Sequence, residues 1–272
     1  MWLATNSGPF DLKEISVAQP KLAGKSILHI SDLHFAPGQK RKAEFLKDLA
    51  GLSPDLVVNT GDNLGHKDAI GPTIEALRPL GDFPGVFVNG SNDYREPKPR
   101  NPFSYLTRPS EVSELRNLDT QRFTRELEGF GWLNLNNTLG QVDVGDTRVG
   151  FIGVDDPHEN LDELSNLPDH RKALDQAEVL IGVAHAPYHR VIDAFSEIGA
   201  DLLFAGHTHG GQICLPGQKA LVTNCDLETK YASGLSAWGE KLLLHVSQGM
   251  GQSIYAPVRL FCPPAATLLR FV

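Results

Sequence analysis

The stretch SILHISDLH, residues 26–34, decides the fold. Ser26–Ile30 is a short apolar run with β-branched residues, and it breaks off at the polar group Ser31-Asp32-Leu33-His34. The same form returns twice. DLVVNTGDN, residues 55–63, reads as a buried strand over Asp55–Asn59 ending in Thr60-Gly61-Asp62-Asn63. GVFVNGSND, residues 85–93, reads as a strand over Gly85–Asn89 ending in Gly90-Ser91-Asn92-Asp93. Between them, Ala43–Ala50 puts Phe45, Leu46 and Leu49 on one helical face, and Ala69–Leu80 does so with Ile70, Ile74 and Leu77. Three β-loop-α units in succession imply a mostly parallel sheet. Polar residues then collect at the carboxyl ends of its strands, where open α/β sheets bind ligands.

Outward from this core, Tyr94–Pro109 is rich in Pro, Arg and Asn and reads as an irregular loop over the strand ends. An amphipathic helix is expected over Ser110–Glu128, and a β-meander over Trp132–Val154 with a turn at Gly145-Asp146. Helices follow at His170–Ala177 and Pro187–Ile198, and strands at Val179–Ala184 and Asp201–Ala205. The tail supplies Lys241–Ser247, Val258–Phe261 and Ala266–Phe271 as further strands. With no repeat or linker, the reading is one domain over residues 1–272 with its core at about 25–272. The fold class is α/β: a four-layer αββα sandwich of two mixed β-sheets flanked by helices.

Composition narrows the function. The 41% hydrophobic and 21% charged residues are ordinary for a globular chain. With 25 basic and 33 acidic residues the net charge is −8, which disfavours a nucleic-acid polymer as partner. A bound cation would reverse the local field for an anionic substrate. Cys214, Cys225 and Cys262 show no CxxC spacing and read as reduced, buried thiols. Residues 1–10 carry no signal-peptide pattern and no apolar run reaches the ~20 residues of a membrane span. The expectation is a cytoplasmic protein, touching a membrane at most peripherally near Pro102–Leu106.

Five polar clusters follow strands: Asp32-Leu33-His34, Gly61-Asp62-Asn63, Asn92-Asp93, His185 and His207-Thr208-His209. Carboxylate, amide oxygen and imidazole suit divalent cations such as manganese, iron(II) and zinc. Singly, each has a structural reading: an Asp after a strand caps the next helix, a Gly-Asp pair makes a turn, and a His satisfies a core hydrogen bond.

In this order, DxH, GD, GxN, a lone His and GHTHGGQ resemble the signature of the calcineurin-like metallophosphoesterases. Tyr231-Ala232-Ser233-Gly234, Val246–Gly251, Arg259 and Pro263-Pro264 are similar to the bacterial YkuE-like branch. The resemblance spans roughly residues 25–272. It implies two divalent metal ions (manganese, iron(II) or zinc). Asp32, His34 and His209 would hold one, and Asn92, His185 and His207 the other, with Asp62 between them. It implies hydrolysis of a phosphodiester or diphosphate in a small or lipid-linked substrate, with Asp62, Asn92, Asp93 and His185 in the catalytic group. A scaffold of the same fold without catalysis is the alternative.

One block departs from the family, which reads Gly-Asn-His-Asp or Gly-Asn-His-Glu where this chain has Gly90-Ser91-Asn92-Asp93. Either Asn92 is the amide ligand and Asp93 stands in place of His, or Ser91 and Asn92 stand in place of Asn and His. The His is absent in both, and Asp93 either protonates a leaving group or fastens the loop. His66, His158, His189, Tyr94, Arg95, Arg100 and Arg108 are weaker candidates for substrate contact. His29 and His245 read as core residues.

Overall fold

The computed structural model describes residues 3–4, 8–97 and 116–272. Two six-stranded sheets lie face to face. The first runs β2 (Asp11–Val17), β16 (Ala265–Phe271), β3 (Ser26–Ile30), β4 (Leu56–Asn59), β5 (Gly85–Phe87), β6 (Leu133–Asn134). The second runs β13 (Gly234–Trp238), β14 (Leu242–Val246), β10 (Leu202–Ala205), β9 (Val179–Val183), β8 (Thr147–Gly153), β7 (Thr138–Val144). Two short ladders complete the strands, β1 (Leu3–Ala4) with β15 (Arg259–Leu260) and β11 (Cys214–Leu215) with β12 (Lys219–Ala220). Helices α1 (Lys40–Ala50), α2 (Ile70–Leu77) and α4 (Thr120–Glu128) cover the first sheet. Helices α5 (Leu167–Ala173) and α6 (His189–Glu197) cover the second, and α3 (Ser91–Tyr94) is a single turn. The layers are therefore αββα, as the sequence predicts.

Both sheets are buried on both faces, so their central strands are continuous apolar runs. In β3, Ile27 faces the other sheet while Leu28 and Ile30 face the helices. In β10, Leu202 and Phe204 fill the layer between sheets while Leu203 meets the helices. Each of these side chains is at least 97% buried, and such burial stabilises by about 1.5–3 kcal/mol per large aliphatic residue.

Register sets the site. Parallel β3 and β4 pair Ile30 with Asn59, so Asp32 and Asp62 leave the sheet side by side. Parallel β9, β10 and β14 pair Phe204 with Val183 and Ala205 with Val246, so His185, His207 and Ser247 emerge together from the second sheet.

Some elements differ from expectation. The segment read as a meander changes sheets: β6 pairs with β5, while β7 and β8 form a hairpin on the second sheet. Leu135, fully buried between the sheets, anchors the passage, and Asn136 Oδ1 accepts from Asn89 N at 2.9 Å. Of the helix expected over Ser110–Glu128, residues 116–119 are not helical and the helix runs Thr120–Glu128, begun by Asp119, whose Oδ1 accepts from Arg122 N at 3.0 Å. Pro79 turns the end of the expected Ala69–Leu80 helix into a 3₁₀ turn, Arg78–Leu80. Arg100, Arg108 and Pro102–Leu106 lie outside the described residues.

Candidate metal centre

The loops that leave β3 and β4 are stitched together by their backbones. Asp32 N donates to Gly61 O at 2.8 Å, His34 N to Asp62 O at 2.9 Å and Phe35 N to Asn63 O at 2.8 Å. Five of the residues in question take left-handed backbone conformations: Asp32 (φ 50°), His34 (40°), Asp62 (55°), His207 (69°) and His209 (52°). Such a conformation costs a non-glycine residue about 1–3 kcal/mol and gathers where function requires it. The loops also press close. A Cβ on Gly90 would strike Asp62 Oδ1 and come within 2.8 Å of His185 Cε1, so only glycine fits there.

Side chains from both sheets converge at this rim. Asp32, His34, Asp62 and His209 place one ligand atom each within 4.8 Å of one another, all buried. His34 Nε2 lies 3.2 Å from His209 Nε2 and 3.5 Å from Asp62 Oδ2, and His209 Nε2 lies 3.5 Å from Asp32 Oδ1. His185 Nε2 also stands 3.6 Å from Asp62 Oδ2. The rings of His185 and His207 are 5.2 Å apart.

The tautomers can be assigned from their partners. A carbonyl accepts only, so His185 Nδ1–H donates to Thr60 O at 2.7 Å. His185 Nε2 is fully buried with no hydrogen-bond partner, 3.6 Å from the Asp62 carboxylate, where a cation could take the place of a proton. His209 Nδ1 lies 3.0 Å from Gly251 O and 3.1 Å from Arg259 Nη2, which holds the ring with Nε2 turned toward His34 and Asp32. His207 uses Nε2 against Asn224, 3.2 Å from the carbonyl and 3.3 Å from Nδ2, which leaves Nδ1. Lone pairs of imidazole and carboxylate aimed at a common space fit divalent cations.

Electrostatics agree. Burial pushes Asp32 up to about 6 and Asp156 up to about 7. Burial pushes His34 down to about 4 and takes His207 and His209 well below the usual imidazole range. His185 is the exception: burial lowers it, but Asp62, Asp156 and Asp32 outweigh that and lift it to about 9. Burial opposes the charge on Asp62, yet His185, His34 and hydrogen bonds from Asn92 hold it well below the carboxylate range. Buried carboxylates at this density call for positive charge.

Asn92 and Asp93 take different directions. Asn92 donates to Asp62 twice, from its backbone N to Oδ1 at 2.8 Å and from Nδ2 to Oδ2 at 2.7 Å. Asp93 turns away into the Gly61–Leu64 loop. Its Oδ1 accepts from Asn63 N at 2.8 Å and Leu64 N at 3.2 Å, and its Oδ2 from Gly90 N at 3.0 Å. Burial and the charge of Asp62 raise it to about 7, against those amide donors.

The weaker candidates scatter. His158 joins the rim, its ring 4.6 Å from His207 and its Nδ1 2.9 Å from Tyr188 Oη. His66 meets Asp68, His189 meets Glu228, Arg95 pairs with Glu159, and Tyr94 Oη donates to Asp155 Oδ1 at 2.6 Å. Sequence reading passed over Asp156 and Lys42. Asp156 is fully buried with Oδ2 lacking a partner; its place directly after β8 was the available signal. Lys42 is fully buried under the centre and donates to Leu33 O at 2.6 Å, and nothing in its helix distinguishes it. Arg259, fully buried, donates to His209 O at 3.1 Å and Gln248 O at 2.6 Å and so clamps the His209 loop.

Known proteins are similar to this chain. A family model described as calcineurin-like phosphoesterase matches residues 25–211, a span that includes every residue from Asp32 to His209. The protein named "Uncharacterized metallophosphoesterase YkoQ" of Bacillus subtilis (strain 168) is 28% identical over 253 residues, covering 91% of this chain and 83% of its own. UDP-2,3-diacylglucosamine pyrophosphatase LpxG of Chlamydia muridarum (strain MoPn / Nigg) is 28% identical over 290 residues, covering 92% and 84%. The solved structure of TT1561 of Thermus thermophilus shares the fold, with a TM-score of 0.50 at 14% identity over 84% of this chain and 90% of that one. Matched over more than half its length, and with the matched span carrying the convergent loops of both sheets, the chain belongs to the calcineurin-like phosphoesterase family.

Proposed function

We propose that this chain is a dinuclear metallophosphoesterase that hydrolyses a phosphodiester or diphosphate bond. The observation that carries the reading is the convergence of two imidazole nitrogens on Asp62 Oδ2, His34 Nε2 at 3.5 Å and the partnerless His185 Nε2 at 3.6 Å. Asp32, His34 and His209 would hold one cation, Asn92, His185 and His207 the other, and Asp62 would contact both. Bound there, divalent cations supply Lewis-acid chemistry, stabilising charge on a phosphoryl group and activating water for in-line attack.

The chain's own residues orient this machinery. The Thr60 carbonyl orients the His185 ring, and the Gly251 carbonyl and Arg259 hold that of His209. Arg259 holds the carbonyl of His209, and Asp93 fastens the Gly90 turn against the Asp62 loop. No imidazole occupies the Ser91–Asp93 block, and Asp93 is engaged by backbone donors. Leaving groups that need little protonation, such as an aryloxide or a phosphate, therefore suit the site best. The pyrophosphatase named among the relatives supports the diphosphate half of this reading. Among the described residues no helix is long and apolar enough to cross a membrane.

The test is hydrolysis of bis(p-nitrophenyl) phosphate, an alkyl monophosphate and a nucleoside diphosphate ester by metal-stripped protein reloaded with manganese. Turnover of the diester or diphosphate that exceeds the alkyl monoester and vanishes with chelator is the expected result. Folded, manganese-loaded protein inert toward all three would refute hydrolysis and favour a scaffold.

A further inference from the structure

A line of buried polar groups leads from the metal centre into the layer between the sheets. Ser31 Oγ donates to Asp32 Oδ2 at 2.6 Å, and Thr60 Oγ1 donates to Ser31 Oγ at 2.6 Å. His29 Nε2 lies 2.9 Å from Thr60 Oγ1, and His29 Nδ1 lies 2.8 Å from His245 Nδ1. All five residues are fully buried. His29 sits on β3 of one sheet and His245 on β14 of the other, so the last bond crosses the apolar seam, with Phe204 edge-on to His29 at 4.9 Å.

The direction of each bond is determined. An ionised carboxylate accepts only, so the Ser31 proton goes to Asp32. Ser31 Oγ must then accept from Thr60, and the spent Thr60 hydroxyl must accept from His29 Nε2–H. A neutral His29 is left with a bare Nδ1, which accepts from His245 Nδ1–H. Every hydrogen in the chain points toward Asp32. The far end, His245 Nε2, is left as a lone pair, and that atom has no partner in the structure. Burial pushes both imidazoles well below their ordinary range, in keeping with neutral rings. Donors aligned head to tail polarise one another, and a low dielectric strengthens them.

We infer that His29 and His245 are positioning residues for the metal ligand Asp32, acting through Thr60 and Ser31 to hold its carboxylate as an oriented acceptor. The inference rests on the metal centre proposed above. It gives the two histidines, which touch neither substrate nor cation, a task that an apolar pair could not perform. It also makes the packing of one sheet on the other part of the ligand geometry.

Zinc serves as a diamagnetic probe. In the zinc-loaded wild type, nitrogen-15 NMR of the imidazoles should show His29 protonated on Nε2 and His245 on Nδ1; the opposite tautomers would overturn the inference. Zinc affinity by calorimetry gives a second, independent reading. Thr60→Val and His245→Leu interrupt the chain and should weaken binding about 10–100-fold, the usual effect of losing a partner behind a ligand. Thr60→Ser keeps the hydroxyl and His245→Asn offers an amide N–H near the Nδ1 position, so both should stay within a few-fold of wild type. Folded Thr60→Val and His245→Leu with wild-type affinity would overturn the inference while leaving the metal centre intact. A wild type that binds no zinc would overturn both. Should the apolar variants fail to fold, the wild-type tautomers decide.

Discussion

The two halves of the centre are built to different standards. On one side, Asp32, His34 and His209 are gathered with Asp62 inside 4.8 Å, on loops stitched by backbone hydrogen bonds and clamped by Arg259. On the other side, His185 waits with an unpartnered Nε2, and Asn92 presents N–H hydrogens to Asp62. The first half is assembled by the fold itself. For the second to close on a cation, the Asn92 amide must release Asp62 Oδ2 and turn its oxygen inward. Hydrogen bonds to a charged group contribute about 1.5–3 kcal/mol, so the second cation should bind about 10–100-fold more weakly than the first.

Asp62, proposed to contact both cations, is the one ligand assigned to both halves, so its loss has the largest expected effect. Asp62→Ala should take the metal content of manganese-loaded protein from about two equivalents to near zero. Activity should fall by about 10³-fold or more, on the scale of several kcal/mol of lost charge stabilisation. Elemental analysis, with circular dichroism as a check on folding, measures this. A folded variant that keeps two equivalents would break the idea that the halves share Asp62.

A smaller effect separates the halves. His185→Ala removes a ligand from the second side only, and about one equivalent should remain, bound with near wild-type affinity. Calorimetric titration of the wild type should show two steps of unequal affinity, and that of the variant the tighter step alone. Loss of both equivalents in His185→Ala would mean that the two sides form one cooperative unit.

The contrast between halves also marks what the sequence could convey. The central strands were legible because burial on both faces leaves apolar runs such as Leu56 to Val58 and Val179–Val183. Strand β2 was hidden because it is an edge strand carrying Asp11, Lys13 and Glu14 on a partly exposed run. Strand β13 was hidden likewise, at the opposite sheet's edge, beginning at Gly234. The sheet change at Leu135 was illegible because the next strands pair as a hairpin whichever sheet they join. In the site, Asp32, His34, Asp62, His185, His207 and His209 stood out because each follows a strand and because their order resembles the family's signature. What spacing could not convey was direction: that Asn92 turns its N–H to Asp62, that Asp93 turns into the Gly61–Leu64 loop, and that His29 and His245 meet across the seam. Those depend on which atoms tertiary packing brings opposite one another.

The smallest expected effect concerns Asp93, where the chain departs from its family. Its two oxygens face only donors: Asn63 N and Leu64 N on one, Gly90 N and Asn63 Nδ2 on the other. It thus ties the β5 turn to the β4 loop, the connection on which the second half depends. Asp93→Asn keeps the shape but must set an NH₂ group against donors on one side. A buried mismatch of this kind costs about 1–3 kcal/mol, and in a chain of this size each kcal/mol lowers the melting midpoint by about 2–4 °C. Asp93→Asn should therefore melt several degrees lower while its leaving-group dependence stays that of the wild type. The check is a plot of log(kcat/KM) against leaving-group pKa for aryl and alkyl phosphodiesters, with a thermal melt of the same samples. An unchanged slope with a lowered midpoint places Asp93 in the loop. A slope that steepens for poor leaving groups at an unchanged midpoint would make it the proton donor instead, and the weaker half of the centre would then be the half that carries the acid.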